Sequence, residues 1–176
     1  MLEALFNPSS IAVIGASRTA GKVGYEVLNN IINSGYKGEI YPINPNASEV
    51  LGLTCYPSVL SVDGDIGLGV VAVPAQIVPA IVKEVGDKGI RNLIIISSGF
   101  KEVGGEGAKI ENTVMEICRG RGIRVLGPNC LGLIDTHTPL NASFAAKLPL
   151  KGDIAFISQS GALGTAVLDW TLEEGI

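Results

Sequence analysis

The sequence predicts a doubly wound α/β fold with a parallel, Rossmann-like sheet, and three observations carry that prediction. Short apolar runs alternate with segments of helical spacing along most of the chain. The runs Val70-Val71-Ala72-Val73 and Leu93-Ile94-Ile95-Ile96 lack the polar alternation of half-exposed strands, as parallel strands covered on both faces do. Gly35, Gly89 and Gly122 each follow a helical segment, where a left-handed cap is wanted.

In chain order, a first strand is expected at Ile11–Gly15, then a polar loop, then a helix over Val23–Ser34. That helix carries Val23, Val27, Leu28, Ile31 and Ile32 at helical spacing. A second strand follows at Glu39–Ile43. Residues Val50–Asp63 are less regular, with a short strand at Thr54-Cys55-Tyr56 and one helical turn. Strand Gly69–Val73, helix Ile77–Asp87, strand Asn92–Ser97, helix Gly107–Arg121 and strand Arg124–Gly127 complete the alternation, with right-handed crossovers. After Pro128 the rhythm breaks. Residues 129–151 lack strong periodicity and contain Pro139 and Pro149, which predicts an irregular connection between domains. A strand at Asp153–Ser158 and a helix over Ala162–Glu174 then read as the first strand and helix of a second, flavodoxin-like domain that is truncated. The expected organisation is therefore a domain over 1–128, a connection over 129–151, and the start of a second domain over 152–176.

Composition narrows the function. The 176 residues are 47% hydrophobic and 17% charged, enough for one domain with its own core. A net charge of −4 and a pI near 5.0 argue against nucleic-acid binding, which usually needs a basic face. No apolar run approaches the roughly 18 residues of a membrane helix, and the N-terminus lacks the basic start and apolar core of a signal peptide. Cys55, Cys118 and Cys130 form no C-x-x-C pair and imply neither a disulfide framework nor a metal site. They read as reduced thiols, and a cytoplasmic location is expected. His137, the sole histidine, lies in a polar turn, Asp135-Thr136-His137-Thr138-Pro139, and reads as a solvated loop residue.

The segment from Ile11 to Gly24 bears the chemistry. A strand feeding a glycine-containing loop at a helix N-terminus can hold phosphate, because free backbone N–H groups and the helix dipole both favour an anion there. Arg18 and Lys22 add two cations. A P-loop is excluded by spacing: five residues separate Gly15 from Gly21, and Val23 rather than Ser or Thr follows Lys22. The dinucleotide pattern G-x-G-x-x-G is broken by Ser17, although cofactor loops tolerate substitution at that place. A turn shaped by packing alone would account for the glycines but not for the two cations and two hydroxyls.

In an open parallel sheet the ligand lies outside the carboxyl ends of the strands. Gly15, Ala16, Ser17 and Arg18 follow the first strand, and Asn44, Pro45 and Asn46 the second. Pro74 and Ala75 follow the third, Ser98-Gly99-Phe100-Lys101 the fourth, and Pro128-Asn129-Cys130 the fifth. NAD-binding domains place a carboxylate at the end of the second strand to accept from the ribose hydroxyl. Asn44 and Asn46 are neutral and can donate to a ribose phosphate instead. That points to CoA or NADP. NADP sites tend to use a nearby arginine, and none follows Asn44 until Arg91, so CoA fits the residues better.

These residues together resemble a known family. Leu5-Phe6-Asn7-Pro8-Ser9-Ser10-Ile11-Ala12-Val13-Ile14-Gly15-Ala16-Ser17, Tyr41-Pro42-Ile43-Asn44-Pro45, Val73-Pro74-Ala75, Ser97-Ser98-Gly99-Phe100, Gly127-Pro128-Asn129-Cys130-Leu131-Gly132 and Ile157-Ser158-Gln159-Ser160-Gly161-Ala162-Leu163-Gly164 occur in an order similar to the CoA-binding domain of ADP-forming acyl-CoA synthetases, relatives of the succinyl-CoA synthetase α subunit. The resemblance covers essentially the whole chain. It implies that acyl-CoA, phosphate and ADP are converted to acid, CoA and ATP through an acyl phosphate and a phosphohistidine. By position it implies that Gly15, Ala16, Ser17, Arg18, Lys22 and Val23 line the CoA phosphates. Asn44, Pro45 and Asn46 would lie by the ribose, Val73 and Pro74 by the adenine, Ser97, Ser98, Gly99 and Phe100 along the pantetheine, and Asn129 near the thioester. Ser158, Ser160 and Gly161 would open a helix aimed at the phosphate or phosphohistidine. The partners implied are a CoA thioester and an ATP-grasp β subunit or domain, in an oligomeric full-length enzyme.

The resemblance places the phosphorylated histidine beyond residue 176, and His137 does not sit in its motif. No catalytic residue is expected within this chain, and the fragment alone should be inactive. An NAD(P)-binding oxidoreductase domain is the reading from another class; it lacks an obvious proton donor beyond His137. The CoA-binding part of a protein acetyltransferase is the third, and it would differ from the ligase only downstream. Ser158-Gln159-Ser160-Gly161 lacks the leading glycine of a hydrolase elbow, and Cys130 reads as an inert thiol.

Overall fold

The computed structural model describes residues 3–175. Its main sheet has five parallel strands: β1 (Ser10–Ile14), β2 (Glu39–Ile43), β5 (Leu68–Val71), β6 (Asn92–Ile95) and β7 (Arg124–Leu126). Between β2 and β5 lies a two-stranded hairpin of β3 (Glu49–Val50) and β4 (Leu53–Thr54), followed by a helical turn at Val59–Ser61. The sheet order is β2-β1-β5-β6-β7, so the chain reverses direction across the sheet between β1 and β5. That is the switch point of a doubly wound fold, where ligands bind.

Every residue of β1, β5 and β6 is buried, as their unbroken apolar runs require. Alternate side chains serve two layers. Ala12, Ile14, Val71, Leu93 and Ile95 pack under α3 (Val78–Lys88) and α4 (Gly105–Gly120). Ile11, Val13, Leu68, Val70 and Ile94 face α2 (Val23–Asn33), which buries Val27, Leu28 and Ile31 against them. Each such fully buried aliphatic side chain contributes about 1.5–3 kcal/mol. Gly35, Gly89 and Gly122 all take positive φ where the chain turns after a helix, as expected.

Two sequence expectations are corrected. Residues 129–151 are not simply an irregular connection: β8 (Gly132–Asp135) and β9 (Leu140–Ser143) form an antiparallel hairpin. Leu133, Leu140 and Ala142 join the core layer beneath α2, and Asn30 of α2 donates to the backbone of Ser143 and Ala145. The hairpin therefore packs on the same core layer as β1, β5 and α2. The strand expected at Asp153–Ser158 does not form, and those residues are exposed with no ladder to join. Helix α5 (Gly161–Glu174) matches the expected helix closely. Just beyond β5 and β6, which end at Val71 and Ile95, the Val73 N–H donates to the Ser97 hydroxyl, 3.1 Å away. Among the described residues, no helix is long and apolar enough to cross a membrane.

Candidate functional site

The loop after β1 is held by close backbone contact. Gly15 lies at φ +93°, and a Cβ there would meet the Ala72 carbonyl oxygen at 2.5 Å. A Cβ on Gly24 would meet the Gly15 oxygen at 1.9 Å, so the first turn of α2 packs directly on this loop. Gly15 and Gly24 thus provide the close helix-to-strand approach that the G-x-G-x-x-G pattern provides elsewhere. The Gly15 and Ala16 N–H groups both donate to the Ile43 carbonyl, at 2.9 and 3.2 Å. Ala16 is fully buried and presents no side chain to a ligand.

Arg18 and Lys22 are exposed, and neither has an ion-pair partner among the described residues. Lys22 precedes α2 without a side-chain cap. The Glu26 carboxylate instead reaches back to the Gly21 N–H at 2.8 Å, and Ser17 Oγ accepts from the Thr19 N–H at 3.1 Å. The loop's shape is therefore set from within, leaving both cations directed to solvent. Glu26 was detectable from its place in the first helical turn, where a carboxylate caps upstream amides.

At the end of β2, both ends of the Asn44 amide are committed. Its Nδ2 donates to the Ala16 carbonyl and its Oδ1 accepts from the Asn46 N–H, each at 2.8 Å. Pro45 and Asn46 are exposed beside it. Asn44 is thus a clamp between β2 and the cationic loop, and Asn46 is the freer donor.

Ser97 is likewise a clamp. Its hydroxyl accepts from Val73 N–H and lies 3.4 Å from the Val71 carbonyl, tying the ends of β5 and β6 together. The Glu102 carboxylate accepts from the Gly99 and Phe100 N–H groups at 2.6 and 3.2 Å. The Gly99 donation holds its carboxyl below the usual carboxylate range. Phe100 departs from the expected site: its side chain is fully buried in the core under α3 and α4, so only its backbone borders the loop. Lys101 is paired with Glu111 at 3.3 Å.

One cleft of about 670 Å³ brings several expected residues together. Val23, Val73, Pro74, Ser97, Ser98 and Asn129 line it, and so do Gly161 and Ala162 at the start of α5. Asn129 sits at φ +53° and donates its N–H to the Ser97 carbonyl at 3.0 Å. Ser160 caps α5 by accepting from the Leu163 N–H at 3.2 Å, and Ser158 Oγ accepts from the Ser160 N–H at 3.0 Å. Gly15, Arg18, Lys22, Asn44, Pro45 and Asn46 do not line this cleft; they lie on the β1 and β2 loops beside it. Phe144, which no sequence signal marked, also lines it.

Cys130 borders the cleft, but burial pushes its thiol up to about 11, and its Sγ lies 3.4 Å from the Ile95 carbonyl. It is protonated at neutral pH and is no nucleophile. His137 is exposed in the turn between β8 and β9, with Nε2 3.0 Å from the Gly152 carbonyl. A wider cleft of about 1390 Å³ separates this turn from α5. Among the described residues, no group of three or more His, Cys, Asp or Glu could hold a metal.

A doubly wound sheet with a cationic, glycine-bearing loop at its switch point defines a nucleotide-binding domain. Comparison with known proteins makes this specific. The family model described as "CoA binding domain" matches residues 9–136. The chain belongs to that CoA-binding family. It is 46% identical over 175 residues to acetate–CoA ligase [ADP-forming] I of Archaeoglobus fulgidus, covering 99% of this chain and 25% of the relative. It is 47% identical over 179 residues to the α subunit of acetate–CoA ligase [ADP-forming] I of Pyrococcus furiosus, covering 99% of this chain and 39% of that one. The dinucleotide-forming acetyl-coenzyme A synthetase 1 of Ca. Korarchaeum cryptofilum, solved with phosphate and ADP, superposes with a TM-score of 0.96 at 44% identity. That match covers 100% of this chain and 38% of the synthetase chain. The chain thus spans between a quarter and two-fifths of the length of these relatives.

Proposed function

We propose that this chain is the CoA-binding part of an ADP-forming acyl-CoA ligase, holding CoA or its thioester across the carboxyl edge of the sheet. The observation that carries the reading is the pairing of two cations without an ion-pair partner among the described residues, Arg18 and Lys22, with an adjoining cleft whose lining contains no charged residue. CoA has the matching division, with phosphates at one end and an uncharged pantetheine arm at the other. The backbone N–H groups of Ser17 and Arg18 and the side-chain cations of Arg18 and Lys22 would receive the pyrophosphate, on a loop whose path Gly15 sets through its N–H bond to the Ile43 carbonyl. Asn46, with the outer hydrogen of Asn44, would donate to the ribose phosphate, and Pro45 would border it. Val73 and Pro74 would lie by the adenine side. Ser98, Gly99, Asn129 and the backbone of Phe100 would border the arm. The N-terminus of α5, with Ser158, Ser160 and Gly161, would favour an anion at the thioester end.

The whole-protein activity belongs to the same proposal: acyl-CoA, ADP and phosphate give acid, CoA and ATP. The phosphohistidine and the ATP-grasp subunit or domain would lie outside these residues. Residues 152–176 would begin the ligase domain that meets them. Their exposed Ile154, Phe156 and Ile157 support this, since a globular surface rarely leaves neighbouring large apolar side chains uncovered.

Titration calorimetry tests the reading. CoA is expected to bind and NAD is not. Lys22→Glu and Arg18→Glu should each weaken CoA by about tenfold or more, a charge-assisted contact being worth roughly 1.5–3 kcal/mol. Lys101→Glu should have little effect, because Glu111 already neutralises Lys101. NAD binding tighter than CoA would overturn the assignment.

A further inference from the structure

Between Leu140 and Ala145 every side chain is buried except one. Phe144 is 42% exposed, whereas Ala142 and Ser143 are 0% and Asn141 3% exposed. The backbone on both sides of Phe144 is fixed by a single side chain: Asn30 Nδ2 donates to the Ser143 carbonyl at 2.9 Å and to the Ala145 carbonyl at 2.8 Å. The Ser143 hydroxyl reinforces this bracket, donating to Asn141 Oδ1 at 2.6 Å and accepting from the Ala145 N–H at 3.1 Å. A backbone held this way needs little further ordering when the side chain it carries meets a ligand. It faces the cleft that Val23, Ser98 and Asn129 also line.

We infer that Phe144 is the wall against which the acyl group of a bound thioester packs, and that it sets the size of acyl group this protein accepts. The inference rests on the CoA reading above and names its selective element. Charge decides which part of the ligand meets the ring. The cleft lining has no charged residue, so the phosphorylated ribose and pyrophosphate belong with Arg18, Lys22 and the Asn44–Asn46 turn outside it. What remains for the cleft is the uncharged adenine at its Val73–Pro74 side, and the arm with its acyl end toward Asn129 and the start of α5. Phe144 is the largest exposed apolar side chain in that lining, and α2 holds the backbone around it through Asn30 while its own first residue, Val23, lines the same cleft.

Calorimetric titration with acetyl-CoA, phenylacetyl-CoA and adenosine 3′,5′-bisphosphate tests the inference. Phe144→Ala should shift the acetyl-to-phenylacetyl affinity ratio about tenfold toward the bulkier thioester, and Phe144→Trp should shift it the other way, the scale expected for apolar pocket discrimination. Adenosine 3′,5′-bisphosphate, which has no arm, should bind both variants within about twofold of wild type. An unchanged ratio in both variants overturns the inference while leaving CoA binding intact. A loss confined to the bisphosphate also overturns it, because the ring would then stack on adenine. Wild-type protein that binds no CoA thioester overturns the functional reading itself.

Discussion

Asn44 uses both ends of its amide to join β2 to the cationic loop, and this makes the residue structural before it is anything else. In Asn44→Asp a carboxylate faces the Ala16 carbonyl in place of a donor. Leaving that acceptor unpaired should cost about 1–3 kcal/mol of stability at neutral pH in urea unfolding. Asn46→Asp, at an exposed position, should stay within about 0.5 kcal/mol while weakening CoA relative to dephospho-CoA. Equal destabilisation by the two substitutions would refute the clamp. Glu102 carries a second expectation. Its carboxyl is held below its ordinary value of 4.5, chiefly by the Gly99 N–H. The order it gives the Gly99–Phe100 turn is therefore complete above that ordinary value and is lost as pH falls through the lowered one. The Gly99 amide resonance should titrate on that acid side in wild type and stay flat in Glu102→Gln. A wild-type resonance that moves only near neutrality would contradict this.

The strand-helix alternation was legible because it rests on buried apolar runs, and β1, β5 and β6 are buried throughout. The hairpin of β8 and β9 was not, for two physical reasons. In β8 only Leu133 is fully buried, which leaves no alternation to read. In β9 the buried residues include Asn141 and Ser143, two polar side chains that satisfy each other and so disguise a core strand as loop. The strand expected at 153–158 failed for the converse reason: Ile154, Phe156 and Ile157 have the right chemistry but no neighbouring strand among the described residues. At the site, the loops were legible from glycine, cation and amide residues, while the roles within them were not. Nothing in sequence distinguishes Ser97, whose hydroxyl is occupied, from Ser98, which lines the cleft without a side-chain partner among the described residues. The hairpin makes an expectation about boundaries. Chain 1–128 would lose the burial of Leu133, Leu140 and Ala142 over Ile31 and Leu28. Each leucine is worth about 1.5–3 kcal/mol against a typical total of about 5–15 kcal/mol. Chain 1–128 should therefore be unfolded or aggregated by circular dichroism and sedimentation, and chain 1–151 folded. A cooperative thermal transition in 1–128 matching that of 1–151 would show the hairpin to be dispensable.

Across the whole molecule, stability is unevenly distributed. The sheet and its two layers hold nearly all the fully buried side chains, whereas α5 buries only Gly164. One of its contacts with the first unit is at Leu131, whose Cδ2 lies 3.5 Å from the Cβ position of Gly164. Leu163 and Trp170 on α5 are 53% and 54% exposed. A helix of 14 residues with so little tertiary contact relies on its own propensity, which is marginal at that length. Its Ser160 cap adds about 1 kcal/mol to that propensity, far less than the packing that holds β6. Local opening should therefore separate the two regions. In hydrogen exchange, amides of 161–174 should exchange at the low-protection end, while those of β6 should approach the protection set by global unfolding. Removing residues 152–176 should shift the melting temperature of the remainder by no more than about 2–4 °C, equivalent to roughly 1 kcal/mol for a chain of this size. Trp170, the sole tryptophan, should fluoresce as a solvated indole and move to shorter wavelength only when a further domain or subunit covers α5. Protection of 161–174 equal to that of β6 would mean that α5 is locked to the first unit, and the division between a self-sufficient CoA-binding unit and the start of a second domain would then be wrong.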